Sequence, residues 1–234
     1  MKNFIACMIA LLLSCIILES DAQGFKFNDP NNIFKDSLGN TITAKAAMEL
    51  ASKGPFSMHT VDIGNGKKEI TITLDSKSSL KQQEDENENW INKWSGNPFP
   101  QFKLQNLKGE EVDNSTLLGK YTVINFWFIG CKPCIEEIPM LNKLVEKYAK
   151  DSIQFLAPAL DKKESLEKML LKREFAYEIL AESESLSKSM GLNSYPTHLI
   201  LDKQGKIKEI MIGGSPDIFS KLDLLINKVM TSSE

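Results

Sequence analysis

Histidine and cysteine are scarce in this sequence. Of its 234 residues two are histidine, His59 and His198, and four are cysteine. A closed zinc site takes four nitrogen, sulfur or oxygen ligands, so a cysteine pair here would need both histidines or carboxylates to complete one. An excess of charge is missing too. A formal charge of −3 and a pI near 5.6 leave no overall basic field for gripping nucleic acid. No internal repeat appears. With 42% hydrophobic and 25% charged residues the composition is that of an ordinary globular chain, which excludes collagenous, low-complexity and wholly disordered classes. The length accommodates one large domain, or a standard domain with a small one.

The first residues carry an address. Lys2 supplies a short positive start, the chain then runs apolar from Phe4 to Leu18, and Glu19-Ser20-Asp21-Ala22 puts small residues at the −3 and −1 positions of a cut before Gln23. That pattern predicts a secretory signal peptide over 1–22. Its apolar run of about 15 residues falls short of the ~20 that span a bilayer as a helix. Leu12-Leu13-Ser14-Cys15 also resembles the box in which a lipoprotein cysteine is acylated, but Ile16, Ile17 and Leu18 continue the apolar run beyond it. Cleavage after Ala22, with export to the periplasm of a Gram-negative bacterium, is the preferred reading. A lipid anchor on Cys15, and with it membrane association, is the alternative. Cleavage removes Cys7 and Cys15, leaving Cys131 and Cys134. One close pair builds no disulfide framework in an exported chain, so redox chemistry suits it better.

The mature chain divides in two. Residues 23–75 read as a small α+β module. Ala44 to Ser52 is rich in helix formers and stops at Lys53-Gly54-Pro55, and two strands, Ser57 to Asp62 and Glu69 to Leu74, flank a turn at Gly64-Asn65-Gly66. Ile70, Ile72 and Leu74 alternate as one buried face would. His59 stands alone in a strand, a structural or exposed histidine rather than a ligand. Residues 76–96 read as a polar linker, because 76–89 contain a single apolar residue and cannot form core.

Residues 97–234 carry the stronger pattern. Phe102 to Val112 predicts a hairpin, Thr122 to Phe128 a strand covered on both faces, and Ile135 to Tyr148 a helix with apolar residues at three and four. A second buried strand follows over Ile153 to Leu160, then a helix over Lys162 to Glu174 and a short strand over Tyr177 to Leu180. Thr197 to Leu201 and Lys206 to Ile212 form a second hairpin, and Ser215-Pro216-Asp217 starts a last helix with Ser215 as its N-cap. The order predicts an α/β fold with a mixed central sheet flanked by helices.

The chemistry sits at Cys131-Lys132-Pro133-Cys134, after a buried strand and at a helix start. There the free backbone N–H groups and the dipole favour a thiolate on Cys131, Lys132 adds a positive charge, and Pro133 suits a first turn. Cys131 can attack a disulfide and Cys134 resolve the mixed disulfide. Half a zinc site and an inert structural disulfide are the competing readings. The latter would contribute little, so short is the loop it closes.

The stretch Asn125-Phe126-Trp127-Phe128-Ile129-Gly130-Cys131-Lys132-Pro133-Cys134-Ile135-Glu136-Glu137-Ile138-Pro139 resembles the thioredoxin superfamily, in its exported TlpA/ResA-like branch. Pro139 falls where that family's helix kinks. Tyr195-Pro196-Thr197 is similar to the loop carrying its cis-proline, and Glu137 matches a glutamate that the branch keeps beside the active site. The resemblance implies a thioredoxin-like fold over 97–234, with catalytic Cys131, Cys134 and Glu137 and with Trp127, Lys132, Pro133, Tyr195, Pro196 and Thr197 shaping the site or holding substrate. It implies protein thiols and disulfides as substrates, for example in cytochrome c maturation or cysteine-pair reduction, and a membrane thiol carrier as electron donor. No cofactor and no metal are implied. Asn125 stands where cytoplasmic thioredoxins carry an aspartate, and it takes no proton, so Glu137 is the expected relay to Cys134. His198 reads as a core residue. A copper-delivery module and a thiol peroxidase are the alternatives. The first usually has a wider cysteine spacing and a distant histidine, the second a Pro/Thr setting that 125–134 lacks.

Overall fold

The computed structural model describes residues 29–54 and 56–232. The expected leader over 1–22 lies outside the described residues. Strand β1 (Asn32–Lys35) pairs with β2 (Thr41–Ile42); helix α1 (Ala44–Ala51) follows, then β3 (Phe56–Gly64) and β4 (Lys67–Leu74). The four strands form one sheet in the order β2-β1-β4-β3. Thr43 starts α1 by accepting the Ala46 N–H, the ordinary role of a threonine N-cap. Asn65 and Gly66 both have positive φ, 54° and 73°, as a two-residue turn between twisted strands requires. Ile70 and Ile72 are buried with Phe34 and Ala47, so the alternation in β4 marks a core face as far as Ile72, but Leu74, expected on it, is exposed at the strand end. Phe34 comes from β1, a strand too short to announce itself by periodicity. His59 lies exposed on β3.

The polar stretch read as a linker carries an 18-residue helix, α2 (Lys77–Trp94). Neither glycine nor proline interrupts it, and Gln82 donates to Glu86 one turn on, a local pairing that solvated helices use. Its last turns join the larger domain. The Trp90 and Trp94 indole N–H groups both donate to the carbonyl of Met190, at 2.8 and 3.1 Å.

Strands β5 (Lys103–Gln105) and β6 (Glu111–Asp113) form the expected hairpin. Next come β7 (Tyr121–Phe126), α3 (Lys132–Lys147), β8 (Ile153–Pro158), α4 (Lys163–Leu170), β9 (Glu178–Leu180), α5 (Glu184–Met190), β10 (Thr197–Leu201), β11 (Ile207–Ile212) and α6 (Ile218–Thr231). The sheet order is β11-β10-β7-β8-β9, with β7, β8 and β9 parallel and β10 and β11 antiparallel to their neighbours. This is the mixed sheet that the sequence pattern predicts. Every residue of β7 is buried. Tyr121 and Val123 point into one core, shared with Ile138, Leu141 and Leu144 of α3 and Leu222 and Ile226 of α6. Ile124 and Phe126 point into the other, shared with Leu186 and Met190 of α5.

Three local expectations are corrected. Helix α4 ends at Leu170 rather than Glu174, and the following residues drop Phe175 and Tyr177 into the core. Helix α5 has no counterpart among the expected elements, because Glu-Ser-Leu-Ser-Lys-Ser-Met is a weak helix former and burial of Leu186 and Met190 decides its conformation. Helix α6 is capped at Asp217, not Ser215. The Ser215 N–H is engaged elsewhere, by the Glu137 carboxylate at 2.8 Å.

Candidate active site

Strand β7 ends at Phe126, and five residues later Cys131 forms the N-cap of α3. A single span of chain thus carries a buried strand, a loop and a helix start. Cys131 and Cys134 are joined as a disulfide with Cα atoms 5.3 Å apart. The Cys134 N–H points at the Cys131 sulfur at 3.3 Å, so the capping side chain is itself a sulfur. Pro133 lies in the first turn, where no intrahelical N–H is lost. The two sulfurs differ in access: Cys131 retains 6% of its surface and Cys134 none. Lys132 is exposed and makes only a loose 3.7 Å pair with Glu136, a kind of contact worth little. Lys132 thus carries a solvated charge at the position next to the outer cysteine in sequence.

The loop before Cys131 is tied down. The Ile129 N–H donates to Asp161 at 2.7 Å, and the Cys131 N–H to the Phe128 carbonyl at 3.1 Å. Burial raises the Asp161 pKa above the ordinary carboxylate value, while the Ile129 bond opposes that rise. A carboxyl raised in the fold contributes stability that is full below its unfolded value and is lost as pH rises through the higher folded value. Asp161→Asn still accepts the Ile129 N–H but does not titrate. Its stability relative to the unsubstituted protein is therefore expected to increase as pH rises from about 4 to 7, the range above the free carboxyl. Urea midpoints at the two ends of that range check this, and an unchanged difference contradicts it.

Trp127 is fully buried, its indole N–H donating to the Ala157 carbonyl at 3.3 Å and its ring edge-on to Phe175. It shapes the site from beneath and cannot touch a substrate. The Tyr195–Pro196 peptide is cis. The Tyr195 ring packs edge-on against Phe128, centroids 5.4 Å apart, and the Thr197 hydroxyl donates to the Ser194 carbonyl. The Pro196 carbonyl accepts the Gly213 N–H at 2.8 Å. Gly214, next along, lies so close that a Cβ would stand 2.8 Å from Cβ of Pro133 and 3.4 Å from Oε1 of Glu137. Through these contacts the cysteine loop, the cis-proline loop and the turn before α6 form one surface.

Beneath it lies a polar cluster. Glu137 is 96% buried, being only 4% exposed. Its Oε1 accepts the Ser215 N–H, and its Oε2 lies 3.1 Å from Nε2 of His198, which is also buried. Asn125 faces His198 directly across β7 and β10. Among the described residues, Nδ1 of His198, the Tyr177 hydroxyl and both polar side-chain atoms of Asn125 are buried without a hydrogen-bond partner. Burial, and after it the negative charge of Glu137, push the pKa of the Tyr177 hydroxyl upward. Sequence reasoning brought Glu137 to the site but left His198 as core and missed Tyr177 and Ser215. The one signal available was the place of His198, two residues past Pro196. No three His, Cys, Asp or Glu side chains among the described residues cluster as a metal site would need.

Relatives share this arrangement's frame. Residues 95–210 match the AhpC/TSA family. The thioredoxin-like protein YneN of Bacillus subtilis is 34% identical over 137 residues, 55% of this chain and 79% of that one. The chain belongs to the thioredoxin-like thiol-disulfide oxidoreductases. The oxidoreductase is also 32% identical to the thiol-disulfide oxidoreductase ResA of Geobacillus thermodenitrificans, over 50% of this chain and 69% of the relative. Among solved structures it resembles a thioredoxin from Neisseria meningitidis, at 30% identity and TM-score 0.52, covering 58% of this chain and 91% of that one. A Chlorobium tepidum thiol:disulfide interchange protein assigned as DsbE superposes with TM-score 0.54 at 25% identity, covering 58% and 96%. No helix among the described residues is long and apolar enough to cross a membrane.

Proposed function

We propose that this oxidoreductase works outside the cytoplasm as a reductant of disulfides in other proteins. The observation that carries the reading is the placement of Cys131 at the N-cap of α3, with surface, above a Cys134 that has none. In the reduced protein the helix start and Lys132 favour a thiolate on Cys131. That thiolate attacks one sulfur of a substrate disulfide, forming a mixed disulfide and expelling one substrate thiolate, which takes up a proton. The Cys134 proton passes to Glu137. The Cys134 thiolate then attacks the Cys131 sulfur and releases the second substrate thiol. Two electrons have moved to the substrate, and the protein is left with its own disulfide.

The other site residues have supporting roles. The cis-Pro196 turn, itself buried with its carbonyl held by the Gly213 N–H, sets the half-buried Tyr195 before it as the backbone edge along which an extended substrate segment pairs. Thr197, fully buried, anchors the turn from behind through its bond to the Ser194 carbonyl, Pro133 holds the first turn, and Trp127 supports the loop from the core. Export rests on the leader pattern over 1–22, with a lipid anchor on Cys15 as the other way of reaching the same compartment. A membrane thiol carrier would then return the electrons. Residues 97–234 form the catalytic domain, 23–75 a separate module and 76–96 the connection between them.

The reduction potential tests the direction of transfer. Equilibration with glutathione or dithiothreitol buffers is expected to give a value near the ~−270 mV of thioredoxin, and a value near −120 mV, about that of a strong oxidant, overturns the reductant reading.

A further inference from the structure

Among the described residues the Ser183 and Ser187 hydroxyls are buried without a partner, and so are groups of Asn125, Tyr177 and His198; the last three lie around Glu137, and titratable side chains are among them. Glu137 lies one helical turn beyond Cys134, on the same side of α3. It is held from two other elements, by the Ser215 N–H before α6 and by His198 on β10. A carboxylate only accepts hydrogen bonds, so with Glu137 ionised His198 carries its proton on Nε2. Its Nδ1 is then a basic lone pair, buried and unmatched by any donor among the described residues. Asn125, across the strands, could meet it through its amide but neither gains nor loses a proton. Tyr177 is the other titratable neighbour, with burial and then the Glu137 charge holding its hydroxyl protonated. The titratable groups facing Glu137 are thus Cys134 on its own helix, His198 from β10 and Tyr177 from the segment before β9.

We infer that His198 is a positioning residue which makes Glu137 and itself a single buried proton store for Cys134. This rests on the exchange mechanism proposed above. When the Cys134 thiol gives up its proton, the couple takes it. One proton is then shared between a carboxylate and an imidazole, and no isolated buried charge has to form. When the next substrate thiolate leaves, the proton returns through solvent, so over a full cycle two protons and two electrons reach the substrate and the couple ends as it began. His198 touches neither sulfur nor substrate and acts through Glu137.

Two measurements test this. The first is the pH dependence, from 5 to 9, of the ultraviolet thiolate absorbance of the reduced Cys134 thiol in Cys131→Ser protein, a readout that no reagent has to reach. Glu137→Gln is expected to move the midpoint by half a pH unit or more, about threefold in proton affinity. His198→Gln, which keeps an N–H donor but cannot titrate, is expected to move it by a comparable amount. The double substitution is expected to move it no further than Glu137→Gln alone, since both act through one couple. Additive shifts, or a His198→Gln profile that overlays its parent, overturn the inference. The second measurement needs no substitution. The chain has two histidines, and His59, exposed on β3, serves as the internal reference. The His198 ring resonances are expected to titrate with midpoints at least half a unit apart in the disulfide and dithiol forms, while those of His59 coincide; equal His198 midpoints overturn the inference. If the unsubstituted reduced protein fails to exchange with glutathione disulfide at any pH, the exchange mechanism itself fails, an outcome separate from either of these.

Discussion

Cys131→Ser is expected to abolish disulfide exchange, by on the order of a thousandfold or more, because the serine hydroxyl is no nucleophile at neutral pH in this setting. The substitution removes the sulfur that retains surface and leaves the one that has none. Cys134→Ser is expected to behave differently. Cys131 still attacks, but the mixed disulfide is not resolved and accumulates as a covalent adduct with the substrate. Insulin reduction followed by non-reducing gels and intact mass measures both. If Cys131→Ser forms the adduct and Cys134→Ser does not, the order of attack is reversed. Since Cys134 is buried beneath the first turn of α3, that result would mean that the helix start opens before reaction.

The largest effect on stability is expected from Trp127→Ala. Trp127 is the largest side chain without any exposure, set edge-on to Phe175 and hydrogen-bonded to the Ala157 carbonyl. Truncating a buried aromatic residue to alanine costs about 3–5 kcal/mol through lost transfer energy and the cavity left behind. For a chain of this size that is roughly 6–20 °C in melting temperature. The loss falls immediately before the cysteine loop, because the Trp127 N–H and carbonyl also bond to Pro158 and Leu160 and hold this stretch against the end of β8. Calorimetry or a circular dichroism melt checks the figure. A drop below about 2 °C would contradict this and show that the site collapses around Phe175 at far less cost than buried aromatic truncations carry. Trp127→Phe, which keeps the ring contact and loses the indole N–H, is expected to fall between.

The cysteine pair was legible because everything that makes it a site is contiguous. The apolar run of β7, the loop, the proline and the amphipathic helix occupy residues 121–147, and each has a local sequence signature. The same holds for the β5–β6 hairpin and for the Asn65-Gly66 turn, which needs two residues of positive φ, whereas the cis-proline loop was marked only by the family resemblance. Helix α5 and strands β1 and β2 were not legible. They are short, and their conformation follows from what they bury rather than from their own propensities. Helix α2 shows the opposite case: its composition is too polar for core, yet a helix needs only uninterrupted backbone bonding, and Trp90 and Trp94 provide the docking.

Residue types and spacings alone placed a close cysteine pair at the start of a helix on a mixed α/β sheet, pointing to redox chemistry there, and made a disulfide framework an unfavoured reading given a cleaved leader. The partners of Glu137 lay beyond their reach. His198 is 61 residues away and Ser215 is 78, and neither is marked by its neighbours in sequence. They meet Glu137 because antiparallel pairing of β10 on β7 sets His198 opposite Asn125, and because the chain turns back over Pro133 at Gly214. Register and close approach are properties of the packed sheet and its helices. Burial then gives the meeting its chemical weight: a carboxylate and an imidazole that would interact weakly in water share a proton's fate once water is excluded.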